Sequence, residues 1–140
     1  MKKLLKMAFI AAAFFVTSCG KSDDGASINS KDLIGTWYLE SATINGEVQP
    51  YTDCEKRTNI VFTTTEFSSV GYATKNDTCT ELGRNSGTYT VSGNTIFYKK
   101  QDGSSYSSEI SLSGNKLTIT QTKKDESDKE VTGTTVYIKR

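Results

Sequence analysis

The chain has 140 residues, 17 basic and 16 acidic side chains and no histidine, so it has room for one domain. With no basic run after Lys6, it carries no stripe for phosphates, and nucleic acid is excluded as a partner. The missing histidine removes the commonest general base, metal ligand and partner of a nucleophile, so the chain is not expected to be an enzyme and no cofactor or metal is called for.

The first element is a leader over residues 1–18. Lys2, Lys3 and Lys6 form a basic start, Met7 to Val16 an apolar run, and Thr17 and Ser18 a small-residue end before Cys19. Ten apolar residues reach only about 15 Å as a helix, against roughly 30 Å of bilayer hydrocarbon, so the run reads as a signal and not a span. The stretch Val16-Thr17-Ser18-Cys19 resembles a bacterial lipobox in the looser form of Bacteroidota-type proteins. That resemblance implies cleavage before Cys19 and acylation of its thiol, with palmitate among the chains. A membrane then becomes a partner through Cys19, and the expected place is the cell envelope, at the outer membrane. Removal of the leader leaves 14 basic residues (17 less Lys2, Lys3 and Lys6) against 16 acidic ones.

Residues 19–31 are mostly Ser, Asp, Gly, Asn and Lys and cannot offset their ordering entropy by burial, so they read as a flexible polar tether. Within it Lys21-Ser22-Asp23-Asp24 is similar to the acidic tag after the lipidated cysteine of surface-exported lipoproteins, which would imply surface exposure. A plain soluble tether would look the same.

Residues 32–140 read as one all-β domain. Trp37, Leu39 and Ser41 alternate onto one face of a first strand, and Asn45-Gly46 suits a tight type I′ hairpin. Further strands are expected near residues 57–63, 66–74, 87–91, 95–100, 105–112, 116–122 and 131–139. The breaks Ser92-Gly93-Asn94, Asp102-Gly103 and Ser113-Gly114-Asn115 are turns of hairpin length. Eight strands joined this way form an antiparallel up-and-down meander, which closes most economically as a barrel; a two-sheet sandwich is the alternative. Alternation puts Ile60, Phe62, Tyr72, Val136 and Ile138 among the inward residues and leaves Phe67, Val70, Phe97 and Tyr137 out of phase.

The opening Asp32-Leu33-Ile34-Gly35-Thr36-Trp37-Tyr38-Leu39 looks like that of the lipocalin-like domains of small Bacteroidota lipoproteins, and Gly35-Thr36-Trp37 is similar to the lipocalin Gly-x-Trp. The resemblance implies an eight-stranded calycin-type barrel whose closed end is plugged by Trp37. It also implies a basic residue near the last strand stacked on that ring, for which Arg140 is the nearest candidate. On its own chemistry, Gly35 permits a tight entry into the strand, and a buried indole N–H needs an acceptor.

Cys54 and Cys79 lie in the exported part of the chain, in the loop after the first strand and the loop before the fourth, and are expected to form a disulfide across one rim. Two free thiols are the other reading, and a metal pair would need histidines. Two functions fit this outline. The barrel binds a small apolar or amphipathic ligand, with Tyr72, Tyr89, Tyr98 and Tyr106 as lining. Alternatively the interior is filled and two rim loops, residues 47–56 and 75–86, bind an envelope protein or glycan.

Overall fold

A computed structural model describes residues 27–140; the leader, Cys19 and the first part of the tether lie outside the described residues. A one-turn helix, α1 (Ser30–Leu33), leads into β1 (Gly35–Ile44), β2 (Glu47–Gln49), a 3-10 turn (Glu55–Arg57), β3 (Asn59–Phe62) and β4 (Glu66–Lys75). Five more strands follow: β5 (Thr78–Ser92), β6 (Thr95–Lys100), β7 (Ser105–Ser113), β8 (Lys116–Lys124) and β9 (Glu130–Lys139). From β3 onward each strand pairs antiparallel with the next, and β9 returns to β1 from Trp37↔Lys139 to Ile44↔Gly133. Eight strands therefore close into an up-and-down barrel, whose ring leaves no long unpaired edge.

The ninth strand, β2, is the one strand with no counterpart in the sequence reading. Both β2 and β3 lie on the edge of β1 away from β9, with β3 pairing Gly35–Tyr38 and β2 pairing Ala42–Ile44. The wall between β1 and β4 is thus built in two pieces, with residues 50–58 between them. The hairpin joining β1 to β2 turns on Asn45 and Gly46 at φ 50° and 84°, the left-handed geometry of a type I′ turn.

Two bulges set which side chains face in. In β1 the register slips between Leu39 and Ser41, so Trp37 and Leu39 point inward before the bulge and Ala42 and Ile44 after it. Ser41 is therefore not on the face of Trp37, as alternation alone had it. A second slip between Gly71 and Tyr72 pairs Tyr72 with Glu81 and leaves Leu82 unmatched.

Three further expectations change. β5 begins at Thr78, not near residue 87, because a continuous ladder to β4 outweighs the weak strand propensity of Gly83-Arg84-Asn85-Ser86. Apart from the Asn76-Asp77 turn, the segment 75–86 is therefore strand and not a rim loop, and Cys79 lies in β5. Phe67 and Tyr137 face the interior while Val136 and Ile138 face out, since the true phase of β9 runs through Thr135, Tyr137 and Lys139. The domain also starts before residue 32: Ile28 packs against the core and its N–H donates to the Gly93 carbonyl at 2.9 Å, so residues 28–31 are not tether.

Apolar packing concentrates at the α1 end, where Leu33, Trp37, Phe62, Ile96 and Leu117 are fully buried. Gly87 holds the β5–β6 contact beside this core, because a Cβ there would run into the Lys99 carbonyl oxygen and come within 2.9 Å of Lys100 Cα. The obstacle is backbone, so relief means moving a strand. Gly87→Ala is expected to cost about 1–3 kcal/mol, as overpacking does, read as a lower urea midpoint at unchanged slope.

Candidate functional site

The inward residues of each strand change character from one end of the barrel to the other. Along β8 they run Leu117, Ile119, Gln121 and Lys123, and along β9 from the same far end Val131, Gly133, Thr135 and Tyr137. Ser69, Gly71, Ser108, Gly133 and Thr135 line the ring with small side chains that do not fill it. A cavity of about 490 Å³ is left in the half of the barrel away from α1, within the range of sites for drug-sized ligands.

Phe67, Ile60, Tyr98 and Ile119 give this cavity an apolar floor, and Tyr106 and Tyr137 rise along its sides. Its wall is polar. Gln121 Nε2 donates to Ser108 Oγ at 2.7 Å, and Ser108 is itself only 4% exposed. Among the described lining residues Lys123 alone is charged, and no carboxylate faces the space.

The aromatic rings are tightly coupled. Tyr98 meets Phe67 edge-on at 4.9 Å between centroids and stacks on Tyr106 at 4.6 Å. Tyr98 is 4% exposed, its hydroxyl has no hydrogen-bond partner among the described residues, and no side-chain polar atom is left sealed away without one. Its hydroxyl therefore opens on the cavity. Burial pushes the Tyr98 phenol far above its ordinary range, with neighbouring tyrosines adding to the shift. Tyr137 is pushed up to about 12 for the same reason, with Tyr51 and Tyr106 adding. Both phenols are therefore neutral donors at physiological pH.

These shifts make a pH prediction. A phenol whose folded value lies above its unfolded value of about 10 ionises first in the unfolded chain. Stability should hold below about pH 10 and fall as pH rises from there through about 12, the folded value of Tyr137. Denaturation midpoints from pH 8 to 12 check this, and Tyr137→Phe should flatten the decline.

Of the four tyrosines expected to line the site, the structure brings Tyr98 and Tyr106 to the cavity and leaves the other two elsewhere. Tyr89 belongs to the closed-end core, its hydroxyl donating to the Thr63 carbonyl at 2.7 Å and its ring meeting Phe62 edge-on at 4.9 Å. Tyr72 stands on the outer wall, 4.9 Å from the Arg57 guanidinium; the inward sequence of β4 is Phe67, Ser69, Gly71. Tyr137 was missed because Val136 and Ile138 on either side suggest the opposite phase. The small residues on the inward faces of β4, β7 and β9 were the signal that could have shown the void.

At the closed end, Trp37 is fully buried and its Nε1–H donates to the Leu33 carbonyl at 2.7 Å, which seats α1 across the barrel. Lys139 Nζ lies 5.2 Å from the Trp37 ring, and its side chain crosses over Gly35, where a Cβ would meet it at 2.5 Å. Gly35 adopts φ 133° here, a conformation that L side chains rarely take. Arg140 does not stack on Trp37. It sits 5.1 Å from Tyr38 on the outer face, because successive strand residues point to opposite sides.

On the side wall, Cys54 and Cys79 are joined, S–S 2.08 Å, tying the 3-10 turn to β5. The turn is braced locally as well. Glu55 accepts from the Thr52 N–H at 2.8 Å and hydroxyl at 2.9 Å, which lowers its carboxyl below the usual range. Among the described residues, no group of three His, Cys, Asp or Glu could hold a metal ion, and no helix is long and apolar enough to cross a membrane. A second hollow of about 520 Å³ lies on the outer face of β5–β7 beside Phe97, which is 47% exposed.

Comparison with known proteins places the barrel among relatives. A family model described as a lipocalin-like domain matches residues 33–136. Among solved structures, a lipocalin-like protein from Bacteroides uniformis is 16% identical with a TM-score of 0.53, over 78% of this chain and 99% of that one. An odorant-binding protein from bovine nasal mucosa gives a looser likeness: 18% identity and a TM-score of 0.46, over 82% of this chain and 76% of that one. No curated protein matches the sequence.

Proposed function

Because the chain belongs to the lipocalin-like domain family, we propose that it is a non-catalytic lipoprotein that binds a small amphipathic ligand in its barrel. The observation that carries the ligand reading is the void of about 490 Å³ lined by aromatic rings and neutral polar groups. A scaffold acting through its loops alone has no need of an unfilled interior, and one of the two loops such a reading requires is strand β5.

The anchor is part of the proposal and rests on the sequence: the basic, apolar and small-residue order of residues 1–18 and the thiol of Cys19. Lipidated there, the protein is held in the cell envelope, at the outer membrane, with α1 at the barrel end nearer to the tether.

Binding is tested with the full-length protein and a neutral apolar fluorophore, N-phenyl-1-naphthylamine, added until its emission saturates. Saturable binding that is weakened by filling the void with Gly133→Leu is the expected result. Emission that never rises above buffer would sink the ligand reading. The anchor is tested separately, by palmitate labelling and membrane fractionation of Cys19→Ala, which should lose both.

A further inference from the structure

We infer that the ligand is a neutral ring compound carrying hydroxyl groups, of the chemistry of an aryl glycoside, and not a straight acyl chain. This rests on the reading of the cavity as a ligand site and goes on to the class of compound it selects.

Several polar groups open on the cavity with hydrogen-bonding capacity left over. Tyr98 keeps an unpartnered hydroxyl although its side chain is almost wholly buried. Gln121 gives one N–H to Ser108 Oγ; its carbonyl oxygen and second N–H have no partner among the described residues. Ser69 and Thr135 add hydroxyls to the lining. An acyl chain lying along these groups would strip their water and return no hydrogen bonds, which is the costly way to bury a polar atom. A hydroxylated ring returns a donor and an acceptor at each carbon that bears oxygen.

Shape and charge point the same way. The Tyr98 ring is spent inside the cluster, stacked on Tyr106 and met edge-on by Phe67, and Tyr106, 38% exposed, is the ring left to take the flat face of a ligand ring. No carboxylate lines the cavity, and its one lysine, Lys123, is exposed near the end of β8, one inward position beyond Gln121. The deep contacts are therefore made with neutral groups, and a site built for a carboxylate head would have placed its cation among them.

The test is competition against N-phenyl-1-naphthylamine on the full-length protein, with phenyl β-glucoside and dodecanoate as the two competitors. The glucoside is expected to displace the fluorophore at lower concentration than dodecanoate. Tyr98→Phe keeps the ring and removes the hydroxyl, and Ser108→Ala with Gln121→Met removes both members of the polar pair at similar volume. Each should weaken the glucoside by about tenfold or more, the loss expected for a buried hydrogen bond, and by more than it weakens naphthylamine, whose own affinity for each variant is measured first. A far-UV circular dichroism spectrum like that of wild type reports that the variants are folded. Stronger competition by dodecanoate, or glucoside competition untouched by both variants, overturns the inference and leaves the binding function standing. Failure of the fluorophore itself to bind removes the binding function and this inference together.

Discussion

Trp37→Ala is expected to leave little folded protein at 25 °C. The ring is fully buried in the core cluster with Leu33, Phe62, Ile96 and Leu117, and Lys139 lies over it. Truncating a buried Trp costs about 3–5 kcal/mol through lost contacts and the hole left behind. Loss of the indole N–H also removes the donor to the Leu33 carbonyl, and an orphaned buried acceptor costs roughly 1–3 kcal/mol more. Domains of this size are stable by only about 5–15 kcal/mol, so the sum approaches the whole. Far-UV circular dichroism in urea measures it without the lost fluorophore. A midpoint within about 1 kcal/mol of wild type would show that α1 and Lys139 close the barrel unaided. Trp37→Phe should retain much of the packing and lose the hydrogen bond, falling between the two.

Replacement of both cysteines, Cys54→Ser with Cys79→Ser, should be the second largest loss. Their separation of 25 residues corresponds to about 3.5 kcal/mol of loop-closure entropy restored to the unfolded chain. The effect should also be felt at the cavity. Residues 50–58 complete the wall between β2 and β3, and the Thr58 hydroxyl accepts from the Tyr72 N–H at 3.0 Å while its carbonyl accepts from the Leu39 N–H at 2.8 Å. Urea unfolding of the double variant, beside wild type with and without reductant, gives the stability term. Fluorophore affinity gives the effect on the wall. A loss below about 1 kcal/mol would mean that the Glu55 and Arg57 contacts order this segment without the bridge.

Much of the architecture is local enough to be read from residue order. Asn45-Gly46, Gly93-Asn94 and Gly114-Asn115 turn where their backbone freedom predicts, and the short connections between strands force neighbours in sequence to be neighbours in the sheet. Gly35-Thr36-Trp37 marks the closed end for the same reason: entry turn, acceptor and ring lie within five residues. The site was half legible. Tyr98 and Tyr106 were found because β6 and β7 run without a bulge and the two residues pair directly. Tyr72, Tyr137 and Arg140 were misplaced because strand phase is carried across from the partner strand, and in β1, β4 and β9 that partner supplies a slip or an opposite alternation.

Composition and interactions over a few residues by themselves determined the all-β class, the eight-strand antiparallel meander and the two cysteines left to pair; the Trp37 plug was what the likeness of Gly35-Thr36-Trp37 to the lipocalin Gly-x-Trp implied. Only the tertiary structure decided that Lys139 and not Arg140 covers Trp37, that β5 runs from Thr78, and that a void of about 490 Å³ remains inside. Facing is set by register between strands far apart in the chain, where a one-residue slip turns side chains to the other surface. A cavity is what the side chains around a closed ring together leave unfilled, and no single segment carries that information.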